Sequence, residues 1–158
     1  MRIIVFSDSH GNYSALQSVV EKHRSEADFF IHLGDGEREF ERIAQEYPEL
    51  SLHGVCGNCD WADNSKTTDV LRVAGRKIFF THGHIFHVKS DLAELKYTAR
   101  GIGATIALFG HTHIAHTEYD DGLYLLNPGS IYSQASGRAS YGVIDITAAG
   151  VITNILQL

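Results

Sequence analysis

Ile3, Ile4, Val5 and Phe6 form an unbroken apolar run that stops at Ser7. A strand with one wet face alternates polar and apolar residues, whereas a strand covered on both faces reads as continuously apolar. Arg2 to Ser7 therefore predicts a central strand sandwiched between layers. Asp8 and His10 follow at once, a carboxylate and an imidazole two positions apart.

The pattern recurs down the chain. Asp28 to Leu33 predicts a second strand, followed by Gly34 and Asp35. Leu50 to Val55 predicts a third, followed by Gly57, Asn58, Cys59 and Asp60. Lys77 to Thr81 leads into His82, Gly83 and His84, and Thr105 to Phe109 leads into Gly110, His111, Thr112 and His113. With 10 His among 158 residues, each group is weak alone. The order carries the weight, because carboxyl ends of neighbouring strands share one edge, where ligands bind. Five polar groups are thus expected at one rim.

The intervening segments fit an α/β chain. Asn12 or Ser14 would cap a helix with Leu16, Val19, Val20 and His23 on one face, the charge of His23 suiting the helix end. Glu37 to Tyr47 predicts a second helix with an apolar stripe of Phe40, Ile43, Ala44 and Tyr47, ended by Pro48. This βαβαβ order implies a parallel sheet. Later, Asp69 to Val73 and Lys77 to Thr81 flank Ala-Gly-Arg, a hairpin pattern. Asp91 and Glu94 predict a capping box opening a third helix through Leu92, Leu95 and Ala99. Ile114 to Tyr119 and Leu123 to Leu126 form another hairpin, as do Tyr141 to Ile146 and Val151 to Leu156. Asn127 to Ser130 is a turn whose Asn127 and Ser130 are candidate substrate contacts. Roughly ten strands exceed a comfortable single sheet, so two packed sheets are expected, in one domain spanning 1–158.

Composition narrows the function classes. No apolar run approaches the ~20 residues of a membrane span, and the apolar N-terminal stretch is too short for a signal peptide. A soluble, cytoplasmic protein is expected. The net charge of −6 gives no footprint for nucleic acid, so an anionic substrate must meet local positive charge. Cys56 and Cys59 are too few for a disulfide framework and lack the second pair of a zinc ribbon. The late hairpins admit pairing between copies, so a homo-oligomer is compatible.

Asp8, His10, Asp35, Asn58, His82, His111 and His113 offer a mixed set of oxygen and nitrogen donors. That set suits Mn, Fe, Zn, Ni or Co. Seven donors exceed the need of one ion, and one carboxylate bridging two ions about 3.5–4 Å apart would use them economically and clamp a phosphate.

As an ordered set these blocks resemble the calcineurin-like metallophosphoesterases, from residue 5 to about 133. The short chain and the Gly-Asn-Cys-Asp variant look most like the small bacterial and archaeal phosphodiesterases of the YfcE type. The resemblance implies a four-layer α/β/β/α sandwich of two mixed sheets. It implies two divalent metal ions, manganese first. Asp8, His10 and His113 would hold one, Asn58, His82 and His111 the other, with Asp35 bridging. It further implies a metal-bridging hydroxide that attacks phosphorus in line on a small phosphoester, with Asp35, Asn58 and His111 as the catalytic set.

Cys59 departs from the larger members of the superfamily, which carry there a His that stabilises the transition state or protonates the leaving group. A thiol brings no positive charge below neutral pH, so His84 and Asp60 are the other candidate acids. The same fold also serves as a protein-binding scaffold in retromer coats, with a degraded metal site; retention of seven donors favours the enzyme. Specificity is expected from residues 61–68 and 84–90, with Trp61 either lining the pocket or covering its loop. His32, His53, His87 and His116 are expected to be structural or solvated.

Overall fold

Both faces of β1 (Arg2–Phe6) are covered, which explains its unbroken apolar run. Ile3 and Val5 face the core between the two sheets, while Ile4 and Phe6 face the helices, and all four are fully buried. Each such side chain contributes about 1.5–3 kcal/mol on leaving water. The computed structural model describes residues 1–61, 66–132 and 138–158.

The first sheet adds β2 (Phe29–His32), β3 (Leu52–Gly54), β9 (Ser140–Thr147) and β10 (Gly150–Gln157), in the order β10-β9-β1-β2-β3. β1, β2 and β3 run parallel, with Val5 beside Ile31 and Ile31 beside His53. The second sheet holds β4 (Thr68–Val73), β5 (Arg76–Thr81), β6 (Ile106–Leu108), β7 (Ala115–Asp120) and β8 (Leu123–Pro128), in the order β4-β5-β6-β8-β7. Its three inner strands are parallel and its edge strands antiparallel.

α1 (Tyr13–His23) and α2 (Glu37–Glu46) cover the first sheet, and α3 (Ala93–Gly101) covers the second. Three apolar clusters fill the spaces between four layers, giving the expected α/β/β/α sandwich.

Local chemistry decides the element ends. Asn12, not Ser14, caps α1, its side chain accepting from Ala15 N at 3.2 Å. His23 finishes that helix buried, between Glu26 Oε1 at 2.7 Å and the Tyr141 hydroxyl at 3.0 Å. α2 lies shallower than its stripe predicts: Ile43 and Tyr47 are buried, Phe40 is half-buried, and Ala44 is exposed. The capping box on α3 does not form. Asp91 accepts from Ala93 N, two residues on, and Leu92 occupies the cap. Of the expected specificity segment 61–68, residues 62–65 lie outside the described residues. Among the described residues no helix is long and apolar enough to cross a membrane.

Candidate metal centre

The turns leaving β1, β2, β3, β5 and β6 are stitched together by their own backbone. Asp8 N donates to Gly34 O at 3.0 Å, His10 N to Asp35 O at 3.0 Å, and Gly110 N to His82 O at 2.9 Å. Two further bonds cross between the sheets. His111 N donates to Asp8 Oδ2 at 3.1 Å, and His82 Nδ1 donates to Leu33 O at 2.9 Å.

These turns require unusual backbone. Among the described residues eight non-glycine positions have positive φ, and five of them are Asp8, His10, Asp35, His111 and His113, between 42° and 66°. Asp and His tolerate this region better than most residues, yet each instance costs about 1 kcal/mol or more. The strain turns inward side chains that a regular strand would point elsewhere. Close approach also demands glycine: a Cβ on Gly57 would sit 2.0 Å from Asp35 Oδ1, and one on Gly110 would sit 1.9 Å from Ser7 Oγ.

The result is one cluster holding all seven expected donors. Donor atoms of Asp8, His10 and His113 lie within 4.8 Å of one another, as do those of Asp8, Asp35 and His82. His10 Nε2 is 3.8 Å from Asp8 Oδ1 and 3.9 Å from Asp35 Oδ2. His113 Nε2 is 3.0 Å from Asp8 Oδ1. Beyond Asp35, His82 Nε2 is 3.5 Å from Asp35 Oδ2, 3.1 Å from Asn58 Oδ1 and 3.1 Å from His111 Nδ1. Asp8, Asp35 and His82 form a buried floor, His10, His111 and His113 are half-buried, and Asn58 is exposed at the rim.

The protonation pattern calls for a cation. His82 Nδ1 donates to a carbonyl, so in the neutral ring it is Nε2 that carries the lone pair. That lone pair faces the oxygens of Asn58 and Asp35, which are acceptors as well. Asp8 Oδ1 is buried and accepts no hydrogen bond, although His113 Nε2 lies 3.0 Å away. Converging lone pairs and two buried carboxylates are costly unless a positive charge sits among them. The residues fit divalent ions of the oxygen- and nitrogen-binding kind.

The electrostatics are uneven. Burial works to raise the Asp8 carboxyl, but the His113 and His82 imidazoles and the Ser7 hydroxyl outweigh it and hold the pKa below its ordinary value. Burial, then the charges of His82 and Lys89, pushes His111 down to about 4. Asp8 raises His113 against burial and the Lys89 charge.

The calcineurin-like phosphoesterase superfamily domain matches residues 1–149. The chain belongs to that superfamily. It is 40% identical over 148 residues to the probable metallophosphoesterase YsnB of Bacillus subtilis, covering 92% of this chain and 85% of that one. It is 28% identical over 176 residues to the phosphodiesterase YfcE of Escherichia coli, covering 96% and 91%. A crystal structure of a predicted phosphoesterase from Streptococcus pneumoniae is similar at a TM-score of 0.86 and 28% identity, over 99% of this chain and 88% of that one.

In this member of the calcineurin-like phosphoesterase superfamily, several residues outside the donor set take roles other than those expected. Asp60 is no acid. Its carboxylate accepts from Asp35 N, Gly36 N, Glu37 N and Gly57 N at 2.7–3.0 Å, clamping the second block to the third. Burial opposes ionisation, but these four donors prevail and lower its pKa. Asn127 and Ser130 are buried and spend their side chains on the backbone and on Thr112. Asn127 Nδ2 holds Gly110 O and Thr112 Oγ1, each at 2.9 Å, and Ser130 Oγ donates to Asp8 O at 2.8 Å. His84 lies 5.4 Å from His82 between ring centres, and its Nδ1 is buried without a partner. Burial, then the His82 charge, lowers its basicity, which favours a neutral imidazole over an acid near pH 7.

Cys59 N donates to Asp35 Oδ1 at 2.8 Å, and its sulfur falls within 4.8 Å of donor atoms of His10 and Asp35, a grouping sequence spacing did not suggest. Burial and the Asp35 carboxylate push the thiol up to about 11. Trp61 is 89% exposed and lines a cavity with His10, Asp35 and Cys59. His32 is structural, as expected: it accepts from Gly34 N on Nδ1 and meets Ser9 Oγ through Nε2, bracing two of the donor turns from beneath.

Proposed function

We propose that this chain is a divalent-metal-dependent phosphodiesterase acting on small phosphoesters. The observation that carries the proposal is Asp35, whose carboxylate lies between two donor groups at 3.9 Å from His10 Nε2 and 3.5 Å from His82 Nε2. In this reading Asp8, His10 and His113 hold one ion, Asn58, His82 and His111 hold another, and Asp35 serves both. Manganese is the first choice, and iron, zinc, nickel and cobalt suit the same donors. Bound ions supply neutralisation of the phosphoryl oxygens and activation of the attacking water.

The chain's own residues supply position and proton control. Leu33 O fixes the His82 tautomer, and Asp60 fixes the turn that presents Asp35. Asn58, exposed at the rim, is the donor most open to substrate, ahead of half-buried His10, His111 and His113. Cys59 holds its proton tightly, so leaving groups that need little protonation are favoured. The open rim and the likeness to YfcE support small diesters as substrates. The absence of a membrane-length apolar helix among the described residues and the presence of only two cysteines in 158 residues support a cytoplasmic location.

A non-catalytic scaffold has no need for five strained donor positions aimed at one point, which favours the enzyme. The purified protein supplied with Mn²⁺ should hydrolyse bis(p-nitrophenyl) phosphate, a chelator should stop the reaction, and added metal should restore it. No hydrolysis with any of the five metals would overturn the proposal.

A further inference from the structure

Two cavities lie along the turns that carry the donors, and they differ in sign. One, of 440 Å³, touches His10, Asp35 and Trp61 but is also lined by Glu37, Glu39 and Glu41, against a single Arg38. The other, of 390 Å³, lies between Lys89 and Leu92 on one side and Phe109, Thr112 and Ile114 on the other. Among the described residues no carboxylate lines it. Thr112 stands between His111 and His113 in the chain, so this second cavity adjoins the turn that carries those two donors.

Lys89 is held near that mouth by a closed loop. Val88 N donates to Gly83 O at 3.4 Å, and Val88 packs so tightly on Gly83 that a Cβ there would meet it at 2.7 Å. Gly83 directly follows His82. Lys89 is exposed, and no ion pair of the described residues involves it, in contrast to Lys66 and Lys96. Its charge is felt at both His111 and His113.

We propose that Lys89 and the apolar cavity beside it form the subsite for an ester group of the substrate, the ammonium taking an anionic phosphodiester oxygen and Leu92, Phe109 and Ile114 taking an apolar aryl or alkyl substituent. This inference rests on the phosphodiesterase reading and names the substrate class. It also supplies near the phosphate the positive charge that Cys59 lacks. An anionic diester is repelled by the acidic cavity and drawn to the basic one.

The test uses Mn²⁺-loaded protein and two non-hydrolysed anions, diphenyl phosphate and dimethyl phosphate, titrated by calorimetry. Diphenyl phosphate should bind at least about tenfold more tightly, since the phenyl groups bury apolar surface. Lys89→Gln should weaken its binding about tenfold and raise KM for bis(p-nitrophenyl) phosphate more than it lowers kcat, with Mn²⁺ stoichiometry unchanged. Ile114→Ser, at a position 66% exposed, should narrow the gap between the two anions. Equal affinity for the two anions, or wild-type affinity in Lys89→Gln, would overturn the subsite. Calorimetry needs no turnover. Selective binding without hydrolysis would therefore uphold the subsite and sink the phosphodiesterase reading, while hydrolysis with an unaffected Lys89→Gln would sink the subsite alone.

Discussion

His82 Nδ1 donates to the carbonyl of Leu33 at 2.9 Å, across the seam between the two sheets. In the neutral ring that single bond decides which nitrogen is bare, and that nitrogen faces Asp35, Asn58 and His111. His82→Ala removes a donor from one group and leaves Asp8, His10 and His113 in place. Mn²⁺ titration should then fall from two ions to one, and turnover should fall at least about a hundredfold. Unchanged stoichiometry would show that His82 holds no metal.

Asp60 should matter to stability as well as to the shape of the site. Its carboxylate serves four backbone N–H groups and stands in for the side-chain cap that Gly36 cannot give α2. Asp60→Ala should cost about 3 kcal/mol in denaturant unfolding, since buried donors lose a charged acceptor. Because its folded pKa is lowered, this stabilisation is present above the unfolded carboxylate pKa and disappears as pH falls below about 4.

Much of this arrangement was legible in the chain, for a local reason. Each strand's apolar run and the donors after it are contiguous, so β1 with Asp8 and His10, or β6 with His111 and His113, can be read from short windows. The clamps are different. Asp60 reaches back 25 residues to Asp35, and Ser130 reaches back 122 to Asp8. Such partners follow from how two sheets dock, which no window of sequence contains. Ala44 illustrates the converse: its spacing matches a core stripe, but α2 rests on the sheet edge and leaves it exposed.

His32 makes the unliganded protein sensitive to mild acid. Burial pushes its pKa down to about 4, against about 6.5 in the unfolded chain. The unfolded state therefore takes up a proton first, and stability falls as pH drops from 6.5 towards 4, by about 2 kcal/mol between pH 7 and pH 5. Denaturant titrations of wild type and His32→Asn at these two pH values should show a smaller fall in the variant. An equal fall in both would place the acid sensitivity elsewhere.

Cys59 should be dispensable for chemistry. Its thiol, pushed up to about 11, is neither a ready nucleophile nor a useful acid at pH 7. Its backbone N–H also holds Asp35, a bond that serine keeps. Cys59→Ser should retain metal-dependent hydrolysis within about threefold of wild type. An inactive Cys59→Ser with normal Mn²⁺ binding would point to thiol chemistry instead.

If chain segments far apart in sequence cage two cations around Asp35, anomalous diffraction from Mn²⁺-loaded crystals will locate them. Two peaks about 3.5–4 Å apart are expected. One should lie among Asp8, His10 and His113, the other among Asn58, His82 and His111, both touching Asp35. No peak at Asp35, or manganese bound only elsewhere on the chain, would contradict the account.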